Sequence, residues 1–155
     1  SSLVIFPFMY YETYGDDSLI KKYYPNMRRY VDYLKTRAEM GILSFGLGDW
    51  YDYGDFRAGF SRNTPVPLVA TAHYYMTVMY LIKAAKMVGN DFDIHYYTSL
   101  AHEILAAFNK CFLNKETAQY GTGSQCSNAL PLFLQRIQMN KAVINRMQSW
   151  MRKYL

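Results

Sequence analysis

Between Val66 and Val88 the only charged side chains are Lys83 and Lys86; the rest are aliphatic, aromatic or small. A helix that is apolar almost all round must be covered on most of its sides, so the fold has to wrap this segment with other helices. His73 and several tyrosines interrupt it, so no run reaches the length of a membrane span. Two further uncharged segments begin near Leu3 and Gln125, and each of the three is followed by a charged, amphipathic one. Their spacing of about sixty residues is far from the 33–34 residues of tetratricopeptide and ankyrin arrays. Helices that alternate between fully and half buried fit concentric rings, inner helices wrapped by outer ones. The expected fold class is all-α: part of an α/α toroid, about three helical hairpins.

The local signals divide the chain accordingly. Leu3 to Tyr14 predicts a helix starting near Phe6, with Pro7 in its first turn and Gly15 as its C-terminal cap. Asp16 and Asp17 put negative charge at the start of the next helix. Pro25 is expected to interrupt that helix and to open another. Beyond it Met27, Tyr30, Val31 and Leu34 mark an apolar face, with Arg28, Arg29, Asp32 and Lys35 opposite, and Gly41 closes the element. Thr64 is the expected N-cap of the apolar helix, with Pro65 or Pro67 in the first turn, and Gly89-Asn90 stop it. Asp91 begins a helix whose inward face holds Tyr97, Leu100, Ala101, Ile104, Leu105, Phe108 and Phe112. After a turn at Asn114–Thr117 and a loop at Tyr120–Ser124, Gln125–Leu134 reads as a helix despite Pro131, and Lys141–Tyr154 as a basic amphipathic one.

One stretch stands outside these helical patterns: Gly46-Leu47-Gly48-Asp49-Trp50-Tyr51-Asp52-Tyr53-Gly54-Asp55. It reads as a long loop between rigid elements, where binding groups concentrate. Its aromatic faces and carboxylates suit a sugar, whose C–H faces stack on rings while its hydroxyls donate to acids. A plain surface turn, rings packed downward and aspartates solvated, fits the same residues. Several carboxylates on one loop are a poor way to fix an acid–base separation, so binding is expected here rather than catalysis.

Composition narrows the classes of partner. Sixteen tyrosines favour pocket walls and helix–helix seams, because the ring is buried while the hydroxyl stays hydrated or bonded. The net charge of +5 is carried by dispersed residues; Arg28-Arg29 and Arg152-Lys153 are the densest pairs, which is no nucleic-acid footprint. Neither a nucleic acid nor a membrane is an expected partner. Cys111 and Cys126 match no zinc or redox spacing. His102-Glu103 lacks the second histidine of a zinc-protease helix, and Asp49–Asp55 lacks the spacing and closing glutamate of a calcium loop. No metal and no cofactor are expected. His73, inside the apolar helix, reads as a hydrogen-bonded core histidine. Ser1-Ser2 leads straight into an apolar helix without an initiator methionine, the pattern expected of a piece cut from a longer chain.

Several blocks occur in one order along nearly the whole chain. They are Tyr14-Gly15-Asp16, Tyr24-Pro25-Asn26-Met27 and Val31-Asp32-Tyr33-Leu34, then Leu47 to Gly54 and Thr64-Pro65, then Ala70 to Tyr75 and Tyr120 to Gln125. Together they resemble the catalytic domain of bacterial α-L-rhamnosidases. The resemblance implies an (α/α)6 barrel that hydrolyses terminal α-L-rhamnosides with inversion. It implies a general acid, a glutamate in an Asp-Glu-Arg-type motif, before residue 1, and a general base glutamate beyond residue 155. Residues 1–155 would then be one partial catalytic domain, inactive alone and completed by the remainder of its parent chain. By the match, Trp50 stacks on the sugar ring and Asp49 accepts from hydroxyls or orients its neighbours, with Asp52 and Tyr53 as lesser substrate contacts. Cys126-Ser127 and Pro131 depart from the family pattern and touch only local geometry. Alternative readings are another α/α-barrel glycosidase or phosphorylase, or a helical scaffold that binds a partner through its aromatic surface.

Overall fold

A computed structural model describes residues 1–135. The expected helix at Lys141–Tyr154 lies outside the described residues, as do the side chains of Tyr53, Phe56 and Gln135. Among the described residues five α-helices carry the fold: α1 Ser2–Tyr14, α2 Ser18–Arg37, α3 Val66–Val88, α4 Asp91–Phe112 and α5 Gln125–Gln135. Two small antiparallel hairpins occupy stretches expected to be plain loop. β1 Asp52–Gly54 pairs with β2 Phe56–Gly59, and β3 Leu113–Asn114 with β4 Gln119–Tyr120. The chain forms two compact units. Among the described residues, the first holds Ser1–Leu43 and His73–Ala107, and the second Ser44–Ala72 and residues 108–135.

The prolines inside α1 and α2 behave differently from expectation. Helix α1 starts at Ser2, several residues before Pro7, and α2 runs unbroken through Pro25. A proline withholds the N–H that the carbonyl four residues earlier would accept, so the helix survives where that carbonyl can reach water. Lys21 and Pro25 share an exposed face of α2, and Leu3, four residues before Pro7, is exposed on α1. Gly15 closes α1, its N–H donating to the Tyr11 carbonyl at 2.8 Å, as expected. Helix α2 ends at Arg37, short of Gly41, which lies in a turn bridged by Glu39 and Ile42. The end of α3 is a Schellman cap: Gly89 takes φ 71°, its N–H donates to Lys86 O at 3.3 Å, and that of Asn90 to Ala85 O at 2.9 Å.

In the first unit, Ile20, Tyr24, Met27, Val31 and Leu34 make a buried stripe one turn apart along α2. A polar seam runs beside it toward α4. Tyr24 donates to Asp93 at 2.5 Å, Tyr97 donates to Asp32 at 2.9 Å, and Lys35 donates to the Tyr96 hydroxyl at 2.8 Å. Arg28 Nε lies 3.0 Å from Asp93, which is itself buried. Burial first, then the neighbouring carboxylates, push the Tyr24 and Tyr97 hydroxyls well above the usual phenol range. Phe8 of α1 meets Tyr80 of α3 with ring centroids 5.0 Å apart.

Helix α3 is covered as its composition demands. His73, Lys83 and Lys86 are its exposed residues, and every other position is buried or half-buried. The expectation of a core histidine is thereby corrected: His73 is exposed, although partial burial still lowers its imidazole pKa from the ordinary value.

In the second unit, Tyr120 is buried against Phe108 at 5.6 Å, and its hydroxyl donates to Asn109 at 2.7 Å. Asn128 of α5 ties down the preceding loop, accepting from Tyr120 N at 3.0 Å and donating to Gly123 O at 3.2 Å.

Candidate functional site

The second unit contains the Gly–Asp–Trp stretch. Gly48 has φ +66°, and a Cβ there would come within 2.8 Å of Ser61 Cβ and 2.9 Å of Val66 Cγ2. Only glycine meets both conditions, so the loop passes tightly over the start of α3 and delivers Asp49 and Trp50 at one defined place. Tyr51 also lies in the left-handed region, at φ 71°, and its N–H donates to Gly59 O at 2.7 Å. A tyrosine held there stores local strain, a feature common at binding loops.

The four sequence-predicted residues separate by environment. Trp50 is 50% exposed, and its indole meets Phe60 edge-on at 5.5 Å and 83°. Asp49 is half-buried, and its Oδ2 accepts from the Thr64 hydroxyl at 3.2 Å. Asp52 is buried, and its two oxygens accept from Arg62 N at 2.8 Å and from Asn63 N and Nδ2 at 2.6 Å each. Tyr53 contributes its backbone to β1. Thus Asp49 and Trp50 present groups at the surface, whereas Asp52 turns its carboxylate back on the 62–63 segment. Asp55 is exposed at the tip of the β1–β2 hairpin.

Behind Asp49 lies a set of hydroxyls drawn from two distant segments. The Thr64 and Ser124 hydroxyl oxygens are 2.8 Å apart, as are those of Ser124 and Ser127; with the Thr64 proton given to Asp49, Ser124 is the donor to Thr64. Ser127 N donates to Ser124 Oγ at 3.1 Å, which makes Ser124 the N-cap of α5. Thr122 donates to the Asn63 carbonyl, and Ser61 donates to the Thr64 carbonyl. The Cys126 thiol is pushed up to about 11, by burial first and by the Asp49 charge second.

Thr64 does not cap α3 as expected. The Pro65 carbonyl accepts from Leu68 and Val69 instead, which frees the threonine side chain for Asp49 and Ser124. Sequence reasoning passed over Ser124, Ser127 and Cys126 as site residues. The Ser124-x-x-Ser127 spacing carried a capping signal, but no local rule links it to Thr64, sixty positions away.

Comparison with known proteins follows the same lines. The family model described as bacterial alpha-L-rhamnosidase 6 hairpin glycosidase domain matches residues 1–154. An alpha-L-rhamnosidase of Formosa agariphila is 31% identical over 110 residues, 69% of this chain and 12% of that protein. One from an Alteromonas species is 25% identical over 116 residues, 72% of this chain and 13% of that protein. This chain therefore spans about one eighth of the length of the curated relatives it matches. The structure of an alpha-L-rhamnosidase from Dictyoglumus thermophilum aligns with TM-score 0.79 at 33% identity, covering 85% of this chain and 15% of that one. A Streptomyces avermitilis alpha-L-rhamnosidase, solved in complex with L-rhamnose, aligns with TM-score 0.79 at 22% identity. It covers 99% of this chain and 14% of that one, and at this identity the likeness speaks for the fold alone. Matched from end to end by one family and superposable on two of its solved structures, the chain belongs to the bacterial alpha-L-rhamnosidase six-hairpin glycosidase domain family, and its helices are a portion of that (α/α)6 fold.

Proposed function

We propose that this chain supplies part of the sugar-binding wall of an inverting α-L-rhamnosidase, with the general acid and general base both outside residues 1–155. The half-exposed Trp50 ring immediately following the pinned Asp49 carboxylate carries the reading. A deoxyhexose presents an apolar face that stacks on an indole, while its ring hydroxyls donate to a carboxylate. Asp49 and Trp50 are the direct contacts in this scheme. Asp52 acts one step behind them: its three accepted hydrogen bonds hold the 62–63 segment against the loop. Tyr53 follows Asp52 in β1 and is the remaining candidate contact.

Inversion needs a protonated carboxyl to serve the leaving oxygen and a carboxylate to activate water, ~6.5–9.5 Å apart across the sugar. It needs no metal or cofactor. The aspartates described above are assigned to binding, so the chain alone is expected to leave an aryl α-L-rhamnoside intact. With the flanking segments of its parent restored, it should release the aglycone and yield the inverted anomer.

The direct test is titration with L-rhamnose. Replacing Trp50→Ala removes one stacked ring and should weaken binding by roughly 1–3 kcal/mol, the scale of burying one large side chain. Equal affinity in the variant and the parent would take Trp50 out of the site. Release of a different sugar by the restored protein would overturn the substrate assignment.

A further inference from the structure

We propose that Thr64 is a positioning residue for Asp49, fixed in turn by the N-cap of α5. Three observations carry this. Thr64 is 1% exposed, so its hydroxyl finds its partners inside the protein. Its Oγ1 stands between Asp49 Oδ2 at 3.2 Å and Ser124 Oγ at 2.8 Å. Ser124 is itself held by the backbone, since its Oγ accepts from Ser127 N at 3.1 Å while its carbonyl accepts from Asn128 N at 3.1 Å.

The result is a chain of contacts from a helix terminus to a carboxylate. The first turn of α5 sets Ser124, Ser124 sets Thr64, and Thr64 sets the torsion of Asp49. An aspartate on an exposed loop otherwise samples several χ1 rotamers, and freezing one in advance removes that ordering cost from ligand binding. The Ser61 hydroxyl, donating to the Thr64 carbonyl, fixes the threonine backbone from the other side. Cys126, in the same first turn of α5, brings its thiol to Asp49 as well.

The inference rests on the sugar reading of Asp49 only in its second arm, so the experiment has two. In the full chain, three-bond couplings to the Asp49 carboxyl carbon report its χ1 without any ligand. They should show one rotamer in the parent and in Thr64→Ser, and rotamer averaging in Thr64→Val, which keeps the shape but loses the hydroxyl. Ser124→Ala should shift them in the same direction by less. Unchanged couplings in Thr64→Val and Ser124→Ala overturn the proposal whatever the sugar does. Titration with L-rhamnose should then show binding weakened roughly fivefold to tenfold in Thr64→Val and restored in Thr64→Ser, about the worth of one hydrogen bond. Averaged couplings in a protein whose parent form binds no L-rhamnose would uphold the positioning and sink the sugar assignment instead. Equal L-rhamnose affinity in parent and Thr64→Val would overturn the link between positioning and binding.

Discussion

Cys126 illustrates how one side chain reports the surroundings of Asp49. Burial and the nearby carboxylate both disfavour the thiolate, raising the folded value to about 11 against an ordinary thiol near 8.5–9. Between those two values the folded chain keeps a proton that the unfolded chain has released. This contribution to stability is therefore flat below the ordinary value and declines as pH rises through the window toward about 11. Exposed Cys111 has no such cover. Alkylation with iodoacetamide at about pH 8 should mark Cys111 well before Cys126, because the thiolate is the nucleophile. The lag should close as pH approaches the folded value. Mass spectrometry of the digested protein reads the order directly, and simultaneous labelling at about pH 8 would refute the placement of Cys126 against Asp49.

Within the first unit, the α2–α4 seam explains much of the tyrosine excess. Tyr24 and Tyr97 bury their rings and Tyr96 keeps its own exposed, while each hydroxyl engages an acid or a lysine on the facing helix. Asp93 is the centre of that seam, accepting from Tyr24 and from Asn90 Nδ2 at 2.9 Å, with Arg28 Nε 3.0 Å away as an ion-pair partner. The Arg28 side chain is 42% exposed overall, so the ion pair adds little; the two neutral donors are Tyr24, which is buried, and Asn90, which is half-buried. Removing the acceptor by Asp93→Ala strands both and should cost about 2–4 kcal/mol, against about 1 kcal/mol for Tyr24→Phe, which removes a single donor. Urea unfolding of the two variants measures the difference, and a loss below that of Tyr24→Phe would mean the seam is incidental. The Tyr74 hydroxyl makes the contrast: it is buried with no hydrogen-bond partner among the described residues.

On the scale of the whole molecule, large apolar groups lie exposed in two clusters. Leu3, Phe6, Met9 and Tyr14 line the outside of α1, and Phe45, Leu47, Trp50, Tyr51 and Phe60 crowd one stretch of the second unit. Single exposed apolar residues are ordinary, but clusters mark surfaces that something covers. The expectation that uncharged helices are the buried ones holds for α3 and fails for α1, whose buried residues are Val4, Pro7 and Phe8. The chain on its own should therefore self-associate and bind a hydrophobic dye. Sedimentation velocity over a concentration series should give species heavier than the 18.1 kDa monomer. A monomer at every concentration, without dye binding, would overturn the reading of these clusters as covered surfaces.

What the sequence determined by itself was whatever depends on neighbours a few positions away. Helix identity, the stripe Met27–Val31–Leu34, the caps at Gly15 and Gly89, and the cover over α3 all follow from side-chain period and local backbone preference. The ordered blocks Gly48–Asp49–Trp50 and Tyr120–Gln125 also carried the family assignment without coordinates. Only the tertiary structure decided questions whose answer lies across the fold. Whether Pro25 breaks α2 depends on whether the Lys21 carbonyl can reach water. Whether Asp52 faces outward depends on where Arg62 and Asn63 return. Which hydroxyl holds Asp49 depends on Thr64 meeting Ser124, and a contact between residues sixty positions apart leaves no periodic trace, because it is set by how the intervening helices fold back.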